Sequence, residues 1–216
     1  MSGYAYDDWE RDEVLPFVPT SAASVLDVGC SFGGFGGALK RRRPGLEVWG
    51  LEPHSDAAEK ASERLDRVVN GLFPQDAPDR RFDCVVFNDV LEHLPDPWEA
   101  LRATKDLVAE GGAVVASIPN VRHFSVVVPL VLRGRFAYRD VGILDRTHLR
   151  FFTRSTMIEL FESTGWRVDR IEPTRLSPPS DGEIPRLLSL FGRRADELRA
   201  KNYVVVASPV APSARS

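Results

Sequence analysis

The segment from Val25 to Gly36 constrains the fold more strongly than any other part of this 216-residue chain. Its first residues are apolar, as in a buried strand, and they enter a glycine-rich run that opens a helix. Gly29 and Gly33 allow backbone conformations closed to other residues and let a ligand approach the chain closely. Backbone N–H groups at the helix start suit a polar or anionic ligand. The segment predicts a ligand-binding turn.

Strand-like and helix-like segments alternate after this turn. Predicted helices lie at 38–43, 55–65 and 97–108, and predicted strands lie at 24–28, 47–52, 67–70, 82–87 and 113–118. This alternation is typical of a parallel sheet with helices on both faces. Right-handed crossovers place the carboxyl ends of the strands at one edge, where ligands bind. The predicted fold class is a Rossmann-like α/β domain.

The first residues and the region after the fifth strand depart from this alternation. Residues 1–20 predict a short N-terminal helix, because apolar side chains recur at roughly helical spacing: Trp9, Val14, Leu15 and Val18. Residues 121–152 begin with an apolar helical segment and continue as an irregular basic stretch. We expect this region to form a lid on the side of the second substrate.

The C-terminal part completes a single predicted domain of residues 1–208. A helix with Thr153 as N-cap precedes predicted strands at 166–171 and 203–207. Between these strands lies an insertion, 173–201, which consists of a Pro/Ser-rich loop and a basic amphipathic helix from 184. It could cover the site or mediate a homodimer. Residues 209–216 are expected to be disordered.

Composition excludes several classes of function. The chain is 43% apolar and 27% charged, with a formal net charge of −3. It therefore has no excess of positive charge that would attract nucleic acid. The longest apolar run, Val126 to Leu132, is far shorter than the roughly 20 residues that span a bilayer. Two cysteines, Cys30 and Cys84, are too few for a disulfide framework or a cysteine zinc cage. We expect a cytoplasmic protein without a membrane span.

The glycine turn is open to more than one interpretation. A dinucleotide fingerprint would place Ser31 at its second glycine position, and Asp27 would repel a pyrophosphate. A nucleophile elbow would use Ser31 in Gly29-Cys-Ser-Phe-Gly33, with Asp145 and His148 downstream, but no glycine-rich oxyanion segment precedes it. A glycine turn without a ligand is a further alternative. An S-adenosylmethionine loop tolerates the carboxylate better, because that cofactor carries a sulfonium and an ammonium.

The motifs support this last interpretation. Asp27-Val-Gly-Cys-Ser-Phe-Gly33 resembles the first motif of class I S-adenosylmethionine-dependent methyltransferases, with Ser31 in place of the middle glycine. The strings DVLEHLPDP (89–97), IPNVRHFSVVVPLVLRG (118–134) and GILDRTHLRFFTRSTM (142–157) resemble ubiquinone-type enzymes and a bacterial subgroup that accompanies glycan and secondary-metabolite pathways. The resemblance implies a mainly parallel seven-stranded sheet with an antiparallel last strand. It also implies the cofactor S-adenosylmethionine and a small-molecule or glycan acceptor.

The resemblance also implies a set of cofactor-binding residues. The loop would contact the methionyl end, and Glu52, at the end of the second strand, would accept hydrogen bonds from both ribose hydroxyls. Gly71 and Leu72 would lie beside the adenine, where Leu72 replaces a common acidic residue. The complete expected set is Asp27, Gly29, Cys30, Ser31, Gly33, Glu52, Gly71, Leu72, Asn88 and Asp89.

Three histidines are candidates for the chemistry. Methyl transfer is an in-line displacement in which the protein orients the acceptor and removes its proton, and histidine is suited to that proton transfer. We expect His148 or His93 to be the base, with His123 third, and His54 to face solvent. These expectations favour O-methylation. A cofactor-binding protein without turnover and a serine hydrolase using Ser31 are the alternatives.

Two further patterns carry expectations. Asp89, Glu92 and His93 resemble the Glu-x-x-Glu-His arrangement of metal-assisted ubiquinone-pathway enzymes, but we interpret the acids as loop-bonding and capping groups and predict no metal. Between positions 122 and 154 lie seven arginines, interleaved with aromatic residues. They could bind a negatively charged or sugar-bearing acceptor, or they could be solvated charges on a lid.

Overall fold

The computed structural model describes residues 9–177 and 194–210. Its strands are β1 Ser24–Val28, β2 Glu47–Glu52, β3 Arg67–Asn70, β4 Phe82–Asn88, β5 Val108–Pro119, β6 Trp166–Leu176 and β7 Ala200–Pro209. Its helices are α1 Gly34–Arg42, α2 Ser55–Ser62, α3 Pro97–Leu107, α4 Phe124–Arg133, α5 Arg154–Ser163 and α6 Arg194–Arg199, with 3₁₀ turns at Leu15–Phe17 and Leu91–His93.

The described strands form one sheet in the order β3-β2-β1-β4-β5-β7-β6. Strand β1 lies parallel to both β2 and β4, and β4 lies parallel to β5. Strand β7 runs antiparallel to both of its neighbours, β5 and β6. The predicted Rossmann-like architecture, with a mainly parallel seven-stranded sheet and an antiparallel last strand, is confirmed.

Strand β1 is buried at every position because apolar residues pack on both faces of the sheet. Val25 packs on one face with Phe35 and Leu39 of α1, while Leu26 packs on the other with the cluster that includes Trp166. The Trp166 indole N–H donates to the Leu101 carbonyl at 2.9 Å, which joins β6 to α3. Because side chains pack against β1 on both faces, the end of β1 and the glycine turn that follows it are held in place.

Several predicted boundaries differ from the structure. The N-terminal helix is wrong for residues 9–20, which contain only the 3₁₀ turn at Leu15–Phe17, since prolines limit helix length there. Strand β6 extends to Leu176 and β7 begins at Ala200, because long antiparallel pairing continues between them. The predicted insertion helix is therefore confined to α6 among the described residues. Residues 1–8, 178–193 and 211–216 lie outside the described ranges.

None of the helices described is long and apolar enough to cross a membrane. Helix α5 begins with the predicted cap: the Thr156 N–H donates to the Thr153 hydroxyl, and the Thr153 N–H donates to the Thr156 hydroxyl at 2.9 Å. Helix α4 ends at Arg133, and the next residue, Gly134, caps it with a left-handed φ of 59°. The segment that follows α4 is irregular up to Thr153; residues 134–153 are called the lid segment, or lid, below, and their role as a lid stays a prediction.

Candidate functional site

The glycine turn has the backbone conformation that its sequence predicted. Gly29 has a φ of 70°, and a Cβ atom there would lie 2.7 Å from Val90 Cγ2, so glycine is required on two grounds. Gly33 has a φ of 75° and is the N-cap of α1. Between them Ser31 adopts a φ of 49° without being glycine. Such strained residues concentrate at functional sites.

Glu52 holds this turn from the neighbouring strand. Its buried carboxylate accepts hydrogen bonds from the Ser31 N–H at 2.9 Å and from the His54 N–H at 3.0 Å. Glu52 therefore ties the turn to the end of β2. His54 is exposed, as predicted.

Asp27, at the end of β1, is 1% exposed. Burial raises its pKa to about 7, and the nearby Asn88 amide, at 3.5 Å, opposes part of this effect. The Asn88 Oδ1 atom is buried and makes no hydrogen bond within the described part of the chain. A cationic ligand would favour the ionised form of Asp27. In the same turn, burial raises the pKa of the Cys30 thiol, which disfavours its nucleophilic thiolate form.

Asp89 lies at the centre of a network that sequence reasoning missed. Its Oδ1 accepts from the Ser117 hydroxyl at 2.6 Å and from the Asn202 amide at 2.9 Å. Its Oδ2 pairs with the Arg11 guanidinium at 2.6 Å. Both Asp89 and Arg11 have a positive φ, 54° and 51°. The carboxylate of Asp89 is thus committed to internal partners and joins β4 to β5, β7 and the N-terminal segment.

The acidic residue in the turn after β3 is Asp76, whereas the family motif commonly has an acid at the position of Leu72. Leu72 is 61% exposed, and its N–H donates to the Asp76 carboxylate at 2.8 Å. A Cβ atom on Gly71 would lie 2.4 Å from the Asp76 side chain. Glycine at position 71 therefore permits a close approach of Asp76 to the turn. Asp76 lies four residues beyond Leu72, so aligning the sequence with the family motif did not point to it.

Two of the candidate histidines lie together against a buried acid. The rings of His93 and His148 are 4.6 Å apart at their centroids, and His148 Nε2 is 4.0 Å from Glu92 Oε1. Glu92 is 1% exposed, and neither of its carboxyl oxygens has a hydrogen-bond partner among the described residues. Burial raises the pKa of Glu92 well above its usual range and lowers that of His93. The protein thus favours neutral forms here.

Contacts of the Nδ1 atoms with a backbone carbonyl and a threonine hydroxyl fix the orientation of the two rings. His148 Nδ1 lies 3.0 Å from the Ile143 carbonyl, so this nitrogen donates and Nε2 of the neutral ring carries the lone pair. His93 Nδ1 lies 3.1 Å from the Thr147 hydroxyl. The Glu92 carbonyl accepts from the backbone N–H groups of Leu149 and Arg150, which ties the lid to the 3₁₀ turn. His148 reaches Glu92 and His93 from the lid, a juxtaposition that the sequence did not predict.

His123 occupies a separate position. Its Nδ1 caps α4 by accepting from the Ser125 N–H at 3.2 Å, and its Nε2 lies 2.9 Å from the Ser177 hydroxyl. Burial lowers its pKa to about 4. Both ring nitrogens are engaged, and the ring is not part of the cavity lining described below. The structure therefore gives His123 a packing and capping position.

The metal arrangement suggested by the sequence is not assembled. Asp89 is committed to Arg11, Ser117 and Asn202. Glu92, His93 and His148 instead offer one ligand atom each, all within 4.8 Å of one another. Two imidazoles and a carboxylate could hold a divalent ion, but an ion would have to displace the proton that burial favours on Glu92.

A cavity of about 1410 Å³ joins the glycine turn to the lid. Among the predicted residues it is lined by Asp27, Gly29, Cys30, Ser31, Asn88, Asp89, His93 and His148. Gly33, Glu52, Gly71, Leu72 and His123 are outside the lining. The cavity also takes in residues from distant segments that no local motif indicated, namely Arg11, Arg175, Lys201 and Asn202.

The hydrolase interpretation finds no triad here. The Ser31 hydroxyl has no hydrogen-bond partner among the described residues. The Asp145 carboxylate accepts from the N–H and the hydroxyl of Thr147, at 2.8 and 2.6 Å. Because His148 Nδ1 binds the Ile143 carbonyl instead of Asp145, the three groups do not form the chain of bonds that activates a serine.

Solved structures share this fold at low sequence identity. A SAM-dependent methyltransferase from Archaeoglobus fulgidus aligns with a TM-score of 0.64 at 20% identity, covering 90% of this chain and 89% of that one. A methyltransferase in calicheamicin biosynthesis, solved in an SAH-bound form, aligns with a TM-score of 0.59 at 20% identity. It covers 91% of this chain and 52% of that one.

The glycine turn and the sheet with its antiparallel seventh strand define a class I S-adenosylmethionine-dependent methyltransferase. The profile of a family described as a methyltransferase domain matches residues 7–171, and the chain belongs to that family. Its curated relatives include ubiquinone biosynthesis O-methyltransferases. The enzyme of Serratia proteamaculans is 28% identical over 166 residues, 73% of this chain and 68% of that protein. That of Xylella fastidiosa is 27% identical over 184 residues, 77% and 73% of the two chains.

Proposed function

We propose that this protein transfers the methyl group of S-adenosylmethionine to a hydroxyl oxygen of a small molecule or glycan intermediate. The observation that carries the proposal is the shared cavity, which reaches from Ser31 in the glycine turn to His148 in the lid. Its volume of about 1410 Å³ exceeds the range of roughly 300–1,000 Å³ typical of a single-ligand pocket. The cavity has room for a cofactor and an acceptor together.

The cofactor end follows from the charges and donors of the turn. Asp27 would face the ammonium of the methionyl group, and the cation would draw Asp27 into its ionised form. Glu52, whose carboxylate holds the Ser31 N–H, would accept hydrogen bonds from the ribose hydroxyls. Gly71 and Leu72 would lie along the adenine. The SAH-bound relative in calicheamicin biosynthesis supports this choice of ligand.

The acceptor end supplies a proton acceptor. His148 holds its Nδ1 proton against the Ile143 carbonyl, so Nε2 can take the proton of an acceptor hydroxyl. S-adenosylmethionine, held at the glycine turn, would supply the methyl group to the acceptor oxygen and would be converted to S-adenosylhomocysteine (SAH). Burial keeps the adjacent His93 neutral at neutral pH, so it adds no cation beside the sulfonium. The names of the curated relatives support oxygen as the methylated atom.

The test separates cofactor binding from transfer. Labelled methyl transfer from S-adenosylmethionine to a cell extract identifies turnover, and calorimetric titration with SAH measures binding. We expect His148→Gln to retain SAH affinity while transfer falls ~100-fold or more, the usual effect of losing a general base. His54→Gln, an exposed histidine outside the cavity lining, is the matched control. SAH binding without any transfer would instead support a cofactor-binding protein, and full activity of His148→Gln would refute its assignment as base.

A further inference from the structure

The cavity carries an excess of positive charge in an acidic protein. The whole chain has a formal net charge of −3. Seven basic and five acidic side chains line the cavity. Of these acids, Asp27 and Glu92 have pKa values raised by burial, which reduces their negative charge further. The surroundings of an acceptor are therefore more cationic than the protein as a whole.

Most of the other acids at the cavity have internal partners. Asp89 pairs with Arg11 at 2.6 Å, and Asp140 pairs with Arg146 at 3.0 Å. Asp145 is held by Thr147. On the basic side, Arg175 lies 2.7 Å from Glu13. These pairs leave three lining arginines without an acidic partner within 4.0 Å in the described ranges: Arg133, Arg135 and Arg139.

These three arginines, here called the lid arginines, belong to a chain segment that also carries two clustered aromatic rings, Phe136 and Tyr138. The ring of Tyr138 is 5.7 Å from that of Phe136, which is 5.4 Å from Phe151. Phe151 is 6.3 Å from His148, the neighbour of His93. Tyr138 is also 6.2 Å from Phe151, so the three rings form one cluster beside the imidazole pair. The lid arginines, Tyr138 and His148 line the same cavity, so an acceptor bound there could meet guanidinium groups at one end and His148 at the other.

We propose that the lid arginines bind an anionic group of the acceptor, a carboxylate or a phosphate, during methyl transfer. This inference rests on the proposed function, since it assumes that S-adenosylmethionine is bound in the same cavity. The sulfonium, ammonium and carboxylate of that cofactor add one net positive charge. Guanidinium groups form paired, charge-assisted hydrogen bonds with both kinds of anion. A cationic amine would meet repulsion from both the lid and the sulfonium. The acceptor is therefore an anionic hydroxyl compound.

The test measures binding of small probes to the SAH-saturated full chain by calorimetry. 4-Hydroxybenzoate and 4-hydroxybenzamide form one arm, since they differ in charge and little in shape. Phenyl phosphate forms the second arm, and a preference between the two anions identifies the group recognised. We expect at least one of the two anions to bind at least tenfold more tightly than the amide. We also expect Arg135→Gln/Arg139→Gln to lose at least tenfold of that affinity.

Arg122→Gln is the matched control, because Arg122 pairs with Glu197 and does not line the cavity. It should keep probe affinity within twofold, and both variants should bind SAH as the parent does. Binding of both anions no tighter than that of the benzamide, an equal loss in the Arg122 variant, or no anion binding at millimolar concentration would overturn the inference. Failure of SAH itself to bind would refute the proposed function instead, so the two failures are distinguishable.

Discussion

The raised pKa of Asp27 predicts that the ligand-free protein becomes less stable as pH rises. The folded carboxyl keeps its proton up to a pKa of about 7, whereas its ordinary value is 3.8. Between these values the folded state binds more protons than the unfolded state, so stability falls with increasing pH. At ~1.4 kcal/mol for each pH unit between the two pKa values, the full effect is about 4 kcal/mol. Roughly 2–3 kcal/mol of it develops from about pH 5 to about pH 8.

Urea denaturation of the parent and of Asp27→Asn over this pH range measures the effect. The asparagine keeps the shape but cannot ionise, so its stability advantage over the parent should grow by roughly 2–3 kcal/mol between the two ends of the range. Asp83→Asn is the control. Hydrogen bonds from Ala23 and Ser24 hold the pKa of Asp83 below its usual value, so its difference from the parent should stay constant. A pH-independent difference for Asp27→Asn would refute the reasoning.

Three other outcomes follow from the described contacts. Gly29→Ala forces a φ of 70° and a contact of 2.7 Å with Val90 on a new methyl group, so calorimetry should show SAH affinity at least tenfold weaker; unchanged affinity contradicts this. Trp166→Phe removes the indole hydrogen bond to the Leu101 carbonyl and part of a fully buried ring, so it should lower the free energy of unfolding in urea by ~1–3 kcal/mol; a negligible change would count against it. Methyl transfer should persist within twofold after dialysis against EDTA, because burial favours a protonated Glu92; loss that Zn²⁺ or Mg²⁺ restores would show a metal requirement.

The sequence predicted the fold where local pattern and burial coincide. Strands β1, β2 and β3 begin and end at the predicted residues, since a short apolar run between turn residues allows little choice. The prediction was wrong where tertiary pairing extends an element. Strand β6 continues through Pro173 to Leu176 because β7 lies antiparallel beside it, and no periodicity in the sequence indicates that pairing.

The candidate site was predictable in its loop and less so in its connections. The resemblance placed Asp27, Gly29 and Ser31 at the cavity, because one continuous motif carries them. It could not show that Arg11 pairs with Asp89, since 78 positions separate the two residues. Nor could it show that Glu92 meets His148. Such contacts depend on how the lid and the N-terminal segment pack against the sheet edge, which local sequence does not specify.

Calorimetric titration of S-adenosylmethionine into the full chain tests the central claim most directly. We predict one-to-one binding, and affinity at least tenfold weaker for Glu52→Ala, because Glu52 fixes the turn through Ser31 and is proposed to accept hydrogen bonds from the ribose. Glu47→Ala provides the comparison, as Glu47 begins the same strand and pairs with Arg80. It should bind as the parent does. A folded chain that binds no S-adenosylmethionine, or equal affinity in the Glu52 variant and the parent, would contradict the account.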